Sequence, residues 1–201
     1  GRVGELEQLR QLFDLPKTRL ITLMGAGGIG KTSLALEYAR RVLSRYEDGV
    51  YFIELAPLDD PAAIVPTIAS EIGYPFQADD RSQKQQLLDY LRAKEMLLVL
   101  DNYEHLMAGR GLVGEILKAC PTINIIATSR EKLNQAGENV LILTSMDFPD
   151  WETPADALKY SAVKLFVQSA RRSYPAYQLD DDDLVHVARI CLMVQGLPLG
   201  I

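Results

Sequence analysis

At 201 residues, 48% hydrophobic and 24% charged, the chain suits one α/β domain with an appendage and has the composition of a globular protein. Its net charge of −6, with no basic stripe, argues against direct nucleic-acid binding by this chain. No apolar run reaches the length of a membrane span, no signal peptide opens the chain, and Cys120 and Cys191 lie far apart, so reduced thiols in the cytoplasm are expected.

The chain opens on Gly1 and stops at Leu199-Gly200-Ile201, and reads as a piece of a longer protein. Leu6, Leu9, Leu12 and Phe13 fall at helical spacing and lead to a turn at Pro16. The apolar run Leu20 to Met24 predicts a strand, followed by Gly25-Ala26-Gly27-Gly28-Ile29-Gly30-Lys31-Thr32 and a helix to about Arg45 that Gly49 closes. Val50 to Leu55 suits a buried parallel strand. A helix from Asp60 to Ile72 has Pro61 at its first position, and Pro66 is expected to interrupt or kink it. Ser82 to Lys94 is amphipathic. The strand Met96 to Asp101, a helix from Leu112 to Ala119, the strand Ile123 to Thr128 and a shorter strand Val140 to Leu143 complete the alternation. Strands alternating with helices predict a parallel sheet covered on both faces.

After Pro149 the character changes. A polar connection, Asp150 to Asp156, holds the only tryptophan, Trp151. Two helices follow, one starting at Ser161 as its cap, the other preceded by Asp180 to Asp183. Four aspartates invite a metal reading, but one capping the helix and the others favouring its positive end is the better account. The organisation predicted is a nucleotide-binding domain over 1–149 and a small, truncated helical subdomain over 150–201.

Strand, glycine loop ending in Gly-Lys-Thr, then helix is the context of a Walker A phosphate loop. Glycines let backbone N–H groups approach phosphate oxygens, and the helix start adds free amides and the positive end of its dipole. Gly25 to Ser33 therefore form the candidate binding set. Lys31 is expected to reach the β- and γ-phosphates and the Thr32 hydroxyl to bind Mg²⁺. Leu97-Leu98-Val99-Leu100-Asp101 is the Walker B pattern, with Asp101 the second metal-holding residue. Asn102 follows where many hydrolytic relatives place a second carboxylate; an amide orients water but takes no proton, so slow hydrolysis is expected. Glu104 and His105 read better as packed or solvated loop residues than as substitutes. Arg130, just past the fourth strand, either senses the γ-phosphate or makes a structural ion pair; the residues leave both open. Gly196-Leu197-Pro198-Leu199 is explained locally by helix termination.

Arg2, the Walker A loop, Leu97 to Asn102, Thr128-Ser129-Arg130 and Gly196 to Leu199, in this order, resemble the NB-ARC group of STAND ATPases, signal-transducing P-loop switches. The resemblance spans essentially the whole chain, and Leu97 to Leu106 together with Ala127 to Glu131 look most like bacterial multidomain regulators. It implies a P-loop NTPase three-layer sandwich with a five-stranded parallel sheet and a helical subdomain. ATP or ADP with Mg²⁺ would be clasped between the two, with Arg130 as sensor, Pro198 approaching the adenine, and Arg2 and Val3 lining its other side. Expected partners are downstream winged-helix and repeat or effector domains and a nucleotide-dependent oligomer, with no membrane. Val3 and Asn102 stand where acidic residues are common, and Gly200 where alanine is. The function implied is an ATP/ADP switch with weak ATPase activity; an active nucleotide phosphatase and a non-hydrolysing scaffold are the alternatives.

Overall fold

In the computed structural model, residues 2–149 and 154–201 are described. Most of the expected connection through Trp151, the placement of Gly1, and the side chains of Asp181 and Asp182 lie outside that description. The chain divides into two compact units, one made of Leu6–Gly25 and Lys31–Ile142, the other of Gly1–Glu5, Ala26–Gly30 and Leu143–Ile201.

The larger unit is built on five short strands, β1 (Leu20–Met24), β2 (Val50–Glu54), β3 (Leu97–Asp101), β4 (Asn124–Ser129) and β5 (Glu138–Ile142), in the order β2-β3-β4-β1-β5. Every pairing is parallel; helical segments link β1, β2, β3 and β4 in turn, whereas residues 130–137 join β4 to β5 without a helix. Register sets the strand ends level: Met24 lies beside Ser129, and Glu54 beside Asp101. Gly25, Asn102 and Arg130 thus all emerge at one edge of the sheet, beyond the strand C-termini, where open parallel sheets bind their ligands.

The apolar runs behave as strands buried on both faces. Every residue of β3 is buried, Leu97 to Leu100 completely. Ile53, Leu98, Leu100, Ile125 and Ala127 pack with α3 (Ile64–Glu71), α4 (Gln83–Leu91) and α5 (Gly111–Ala119). Leu97, Val99 and Ile126 point the opposite way, and α2 (Lys31–Arg41) packs against β3 and β4 there. Helices therefore cover both faces, the layering of a P-loop NTPase sandwich. Phe13, on α1 (Val3–Asp14), stacks on Tyr38 of α2 with ring centroids 5.6 Å apart.

Three local expectations are corrected. The helix after the glycine loop stops at Arg41, and only a 3-10 turn, Leu43–Arg45, continues toward Gly49. The helix expected over Asp60 to Ile72 is divided instead before Pro66: a 3-10 turn, Pro61–Ala63, precedes α3, so Pro66 is the third residue of α3, where no amide is needed. Ser161 is not a cap but the first residue of α6 (Ser161–Ser173). Asp147 caps it instead, accepting from the Ser161 amide at 3.1 Å and from its hydroxyl.

The smaller unit packs α6 and α7 (Asp181–Met193) around Met146, Ala157, Ala162, Val163, Val187, Ala188 and Cys191. Asp180 caps α7, accepting from the Asp183 amide at 2.7 Å. Gly196 (φ 66°) ends the turn after α7. Its left-handed φ accounts for only part of the choice, because a Cβ there would collide with the Met146 carbonyl, and Met146 in turn donates its amide to the Gly196 carbonyl at 3.0 Å. Cys120 and Cys191 are free and buried, and burial pushes both thiols up, away from the reactive thiolate. Among the described residues no helix is long and apolar enough to cross a membrane.

Candidate functional site

The glycine loop leaves β1 with its first amide held: Gly25 donates to the Ser129 carbonyl at 3.3 Å. Ile29 then donates to the Ala26 carbonyl at 3.4 Å, closing a turn. Gly28 (φ 73°) and Gly30 (φ 94°) occupy the left-handed region that a side chain would strain. Helix α2 begins at Lys31, so the amides of Thr32 and Ser33 stand in its first turn, where no carbonyl four residues back belongs to the helix. The Lys31 side chain is buried, and its ammonium folds back to donate to the Gly25 carbonyl at 2.9 Å.

The two Walker residues meet. The Thr32 hydroxyl donates to Oδ1 of Asp101 at 2.7 Å. A second hydroxyl, that of Thr128 on β4, donates to the same oxygen at 2.7 Å and accepts from the Asn102 amide at 2.9 Å. Thr128 is fully buried, so it ties the ends of β3 and β4 together and aims the carboxylate at Thr32. Sequence reasoning used Thr128 only as a letter of a motif; its register, two residues before Arg130 and beside the Walker B strand, is the signal for the role. A hydroxyl and a carboxylate at hydrogen-bond distance are hard oxygen donors that fit Mg²⁺, which takes few protein ligands and completes its shell with phosphate and water.

Asn102 sits at φ 66° and ψ 53°, a left-handed conformation that asparagine tolerates better than most residues. Its Nδ2 lies 3.3 Å from Nδ1 of His105, whose Nε2 lies 3.1 Å from the Leu55 carbonyl and 2.8 Å from that of Leu58. Arg130 is 67% exposed and pairs through Nε with Oε1 of Glu104 at 3.0 Å. Of the two readings of Arg130, the ion pair is the one made here. The other Glu104 oxygen, Oε2, is buried with no hydrogen-bond partner among the described residues.

Within the smaller unit, the loop residues 26–30 meet both ends of the chain. Arg2, at φ 58° with its side chain 8% exposed, donates to the carbonyls of Ile29 at 2.7 Å and Thr144 at 2.8 Å and pairs with Glu5 at 2.7 Å. The Leu199 amide donates to the Gly28 carbonyl at 3.1 Å. A Cβ on Gly28 would lie 2.6 Å from Cβ of Leu199, and one on Gly30 3.7 Å from Nε of Arg2 and 3.9 Å from Cγ of Pro198. Arg2 and Pro198 thus flank Gly30, whereas Val3 is 70% exposed at the start of α1. The Nε of Arg2 is buried and has no hydrogen-bond partner among the described residues.

A family model described as an AAA domain matches residues 6–143. A Mycobacterium tuberculosis protein, provisionally named an HTH-type transcriptional regulator, is 38% identical over 188 residues, covering 93% of this chain and 20% of that protein. The chain thus spans about a fifth of the length of these curated regulators. Among solved structures, Cdc6p from Pyrobaculum aerophilum superposes with a TM-score of 0.60 at 21% identity, over 94% of this chain and 54% of that one. A STAND protein with a tetratricopeptide-repeat sensor from Pyrococcus horikoshii gives 0.53 at 15% identity, over 98% and 28%. At these identities the likeness to both structures is one of fold. With the matched span covering the sheet, the glycine loop and the Thr32–Asp101 pair, the chain belongs to the AAA-domain family of P-loop ATPases.

Proposed function

We propose that residues 25–33 bind ATP and ADP, and that the chain is a nucleotide-switch module of the NB-ARC/STAND kind with slow Mg²⁺-dependent ATP hydrolysis, working inside a longer cytoplasmic signalling or transcription regulator. The observation that carries this reading is the Thr32–Asp101 hydrogen bond of 2.7 Å at the end of a glycine loop with two left-handed residues. Residues 1–149 would serve as the nucleotide-binding domain and 150–201 as the helical subdomain.

The geometry supports the following roles. Backbone amides of the loop and the first turn of α2 donate to phosphate oxygens. The Lys31 ammonium exchanges the Gly25 carbonyl for a phosphate oxygen, a stronger acceptor for a cation. Thr32 and Asp101 would hold Mg²⁺, which when bound neutralises charge on the phosphates. Asn102 offers an amide to the attacking water but no base, so proton removal is left to solvent or phosphate and turnover is slow. Arg130 would leave Glu104 for the γ-phosphate, a more highly charged partner.

The switch reading rests on two carbonyls of the loop. Gly28 and Ile29 point their oxygens to Leu199 and Arg2, so a loop that reshapes around a γ-phosphate changes what holds the two ends of the chain. The longer protein's domains supply the effector and a nucleotide-dependent oligomer. The HTH-type regulator name of the Mycobacterium relative supports a transcriptional context.

Single-turnover hydrolysis of ATP, followed by rapid quench, tests the reading. The expected rate is on the order of 10⁻³ per second or slower, the range of P-loop proteins without a complete catalytic set. Asn102→Asp is expected to raise it. Fast hydrolysis by the native protein, or an unchanged rate in the variant, would overturn the slow-switch assignment.

A further inference from the structure

We infer that His105 is a positioning residue for hydrolysis, holding the Asn102 amide so that its carbonyl oxygen is presented to water; this rests on the ATPase reading above. The argument is one of proton accounting. Nε2 of His105 faces two backbone carbonyls, Leu55 at 3.1 Å and Leu58 at 2.8 Å, and a carbonyl oxygen only accepts. Nε2 therefore carries the ring proton. In the neutral ring Nδ1 is then a lone-pair acceptor, and the atom of Asn102 facing it at 3.3 Å must be the NH₂ group.

The consequence falls on the opposite atom of the amide. With Nδ2 turned to His105, Oδ1 of Asn102 turns away, and among the described residues nothing donates to it. An amide oxygen so held accepts a hydrogen bond from water and directs a water lone pair elsewhere, which is the service that orienting amides perform in phosphoryl transfer. Without His105 the amide rotates freely or flips, offering a donor where an acceptor is required.

The backbone pins the amide from its other side. Asn102 is locked at φ 66° by its N–H bond to Thr128, one residue past the Asp101 that meets Thr32. Two contacts, the backbone N–H to Thr128 and the side chain to the ring of His105, hold Asn102 from both sides. The carbonyls of Leu55 and Leu58, in the loop that follows β2, set the tautomer of the ring and through it the face of the amide.

Two substitutions separate positioning from structure. Glutamine at 105 keeps an N–H near the Leu55 and Leu58 carbonyls but offers no acceptor to Asn102. Asparagine at 105 offers a carbonyl near the Nδ1 position but does not reach those carbonyls. His105→Gln is expected to lower the single-turnover rate about tenfold, with nucleotide affinity and melting temperature near native. His105→Asn is expected to melt lower yet retain the rate. In an Asn102→Ala background His105→Gln should have no further effect on the rate, because the two residues act as one unit.

A tautomer measurement is independent of activity. The chain holds only two histidines, His105 and His186, so long-range ¹H–¹⁵N spectra assign both rings. The expected state of His105 at neutral pH is Nε2–H. An Nδ1–H tautomer, a native rate in His105→Gln, or additive loss in the double variant would overturn the inference while leaving ATP hydrolysis by the native protein intact. Absence of any hydrolysis by the native protein would overturn the inference together with the ATPase reading.

Discussion

At the scale of single residues, Thr32, Asp101, Thr128 and the Asn102 amide form a set of donors and acceptors already paired with one another. Asp101 Oδ1 accepts hydrogen bonds from two hydroxyls, and Thr128 serves as both acceptor and donor in a fully buried position. Thr128→Val keeps the shape but leaves the Asn102 amide and the Asp101 carboxylate each one partner short. That costs about 1–3 kcal/mol per abandoned group, read as a lower denaturant midpoint at unchanged slope. An unchanged midpoint would show that water replaces the hydroxyl. The residues of this site that carry chemistry were legible in sequence because Gly25 to Thr32 and Leu97 to Asp101 are dense local patterns. Thr128 was not, since its role comes from the pairing of β3 with β4, where Leu100 lies beside Ala127. The partner of Arg130 was equally hidden: Glu104 is a neighbour only once both strand ends are level.

At the scale of elements, the alternation of apolar runs and amphipathic helices located all five strands, with ends within two residues of those observed. What local reading missed came from distant partners. Ser161 looks like a cap by residue type, but the capping carboxylate arrives from Asp147, fourteen residues earlier. Burial raises the Asp147 carboxyl, but the Ser161 hydroxyl and amide outweigh this and hold it below the usual carboxylate range. A depressed folded-state pKa contributes stability above the unfolded carboxylate's value, near 3.9, and the contribution is lost as pH falls through the lower folded value. Asp147→Asn is therefore expected to cost stability at neutral pH and to flatten the loss of melting temperature below about pH 4. An acid limb as steep as the native one would exclude this role for Asp147. Pro66 shows the converse: a helix breaker by type, it is harmless because the helix starts two residues before it.

Gly28 is where the glycine loop and the end of the chain meet. Its left-handed φ and the approach of Leu199 both exclude a side chain. Gly28→Ala is expected to weaken ATP binding by at least about tenfold, since left-handed strain alone costs about 1–2 kcal/mol and Leu199 must also move. Adding Leu199→Ala should recover only the part due to the collision. Equal ATP affinity in Gly28→Ala and native protein would show that the loop does not need this geometry.

At the scale of the whole molecule, residues 26–30 cluster with Arg2 and with Pro198–Leu199, the two ends of the sequence. Sequence motifs named these residues but not their contact, because Leu199 and Gly28 are joined by one hydrogen bond across almost the entire chain. If the γ-phosphate is read through the loop carbonyls, hydrogen exchange of residues 2–5 and 196–201 should differ between the ADP-bound protein and the protein bound to a non-hydrolysable ATP analogue. Identical exchange in the two states would leave a nucleotide-retaining scaffold as the better description.

The central claim is that Gly25 to Thr32 is an adenine-nucleotide site that Mg²⁺ joins through Thr32 and Asp101. Isothermal titration calorimetry with ATP and with ADP, in Mg²⁺ and in EDTA, on the native chain and on Lys31→Ala, tests it most directly. The account predicts one site per chain, weaker ATP binding without Mg²⁺, and loss of measurable binding in Lys31→Ala. Undiminished affinity in Lys31→Ala would contradict it.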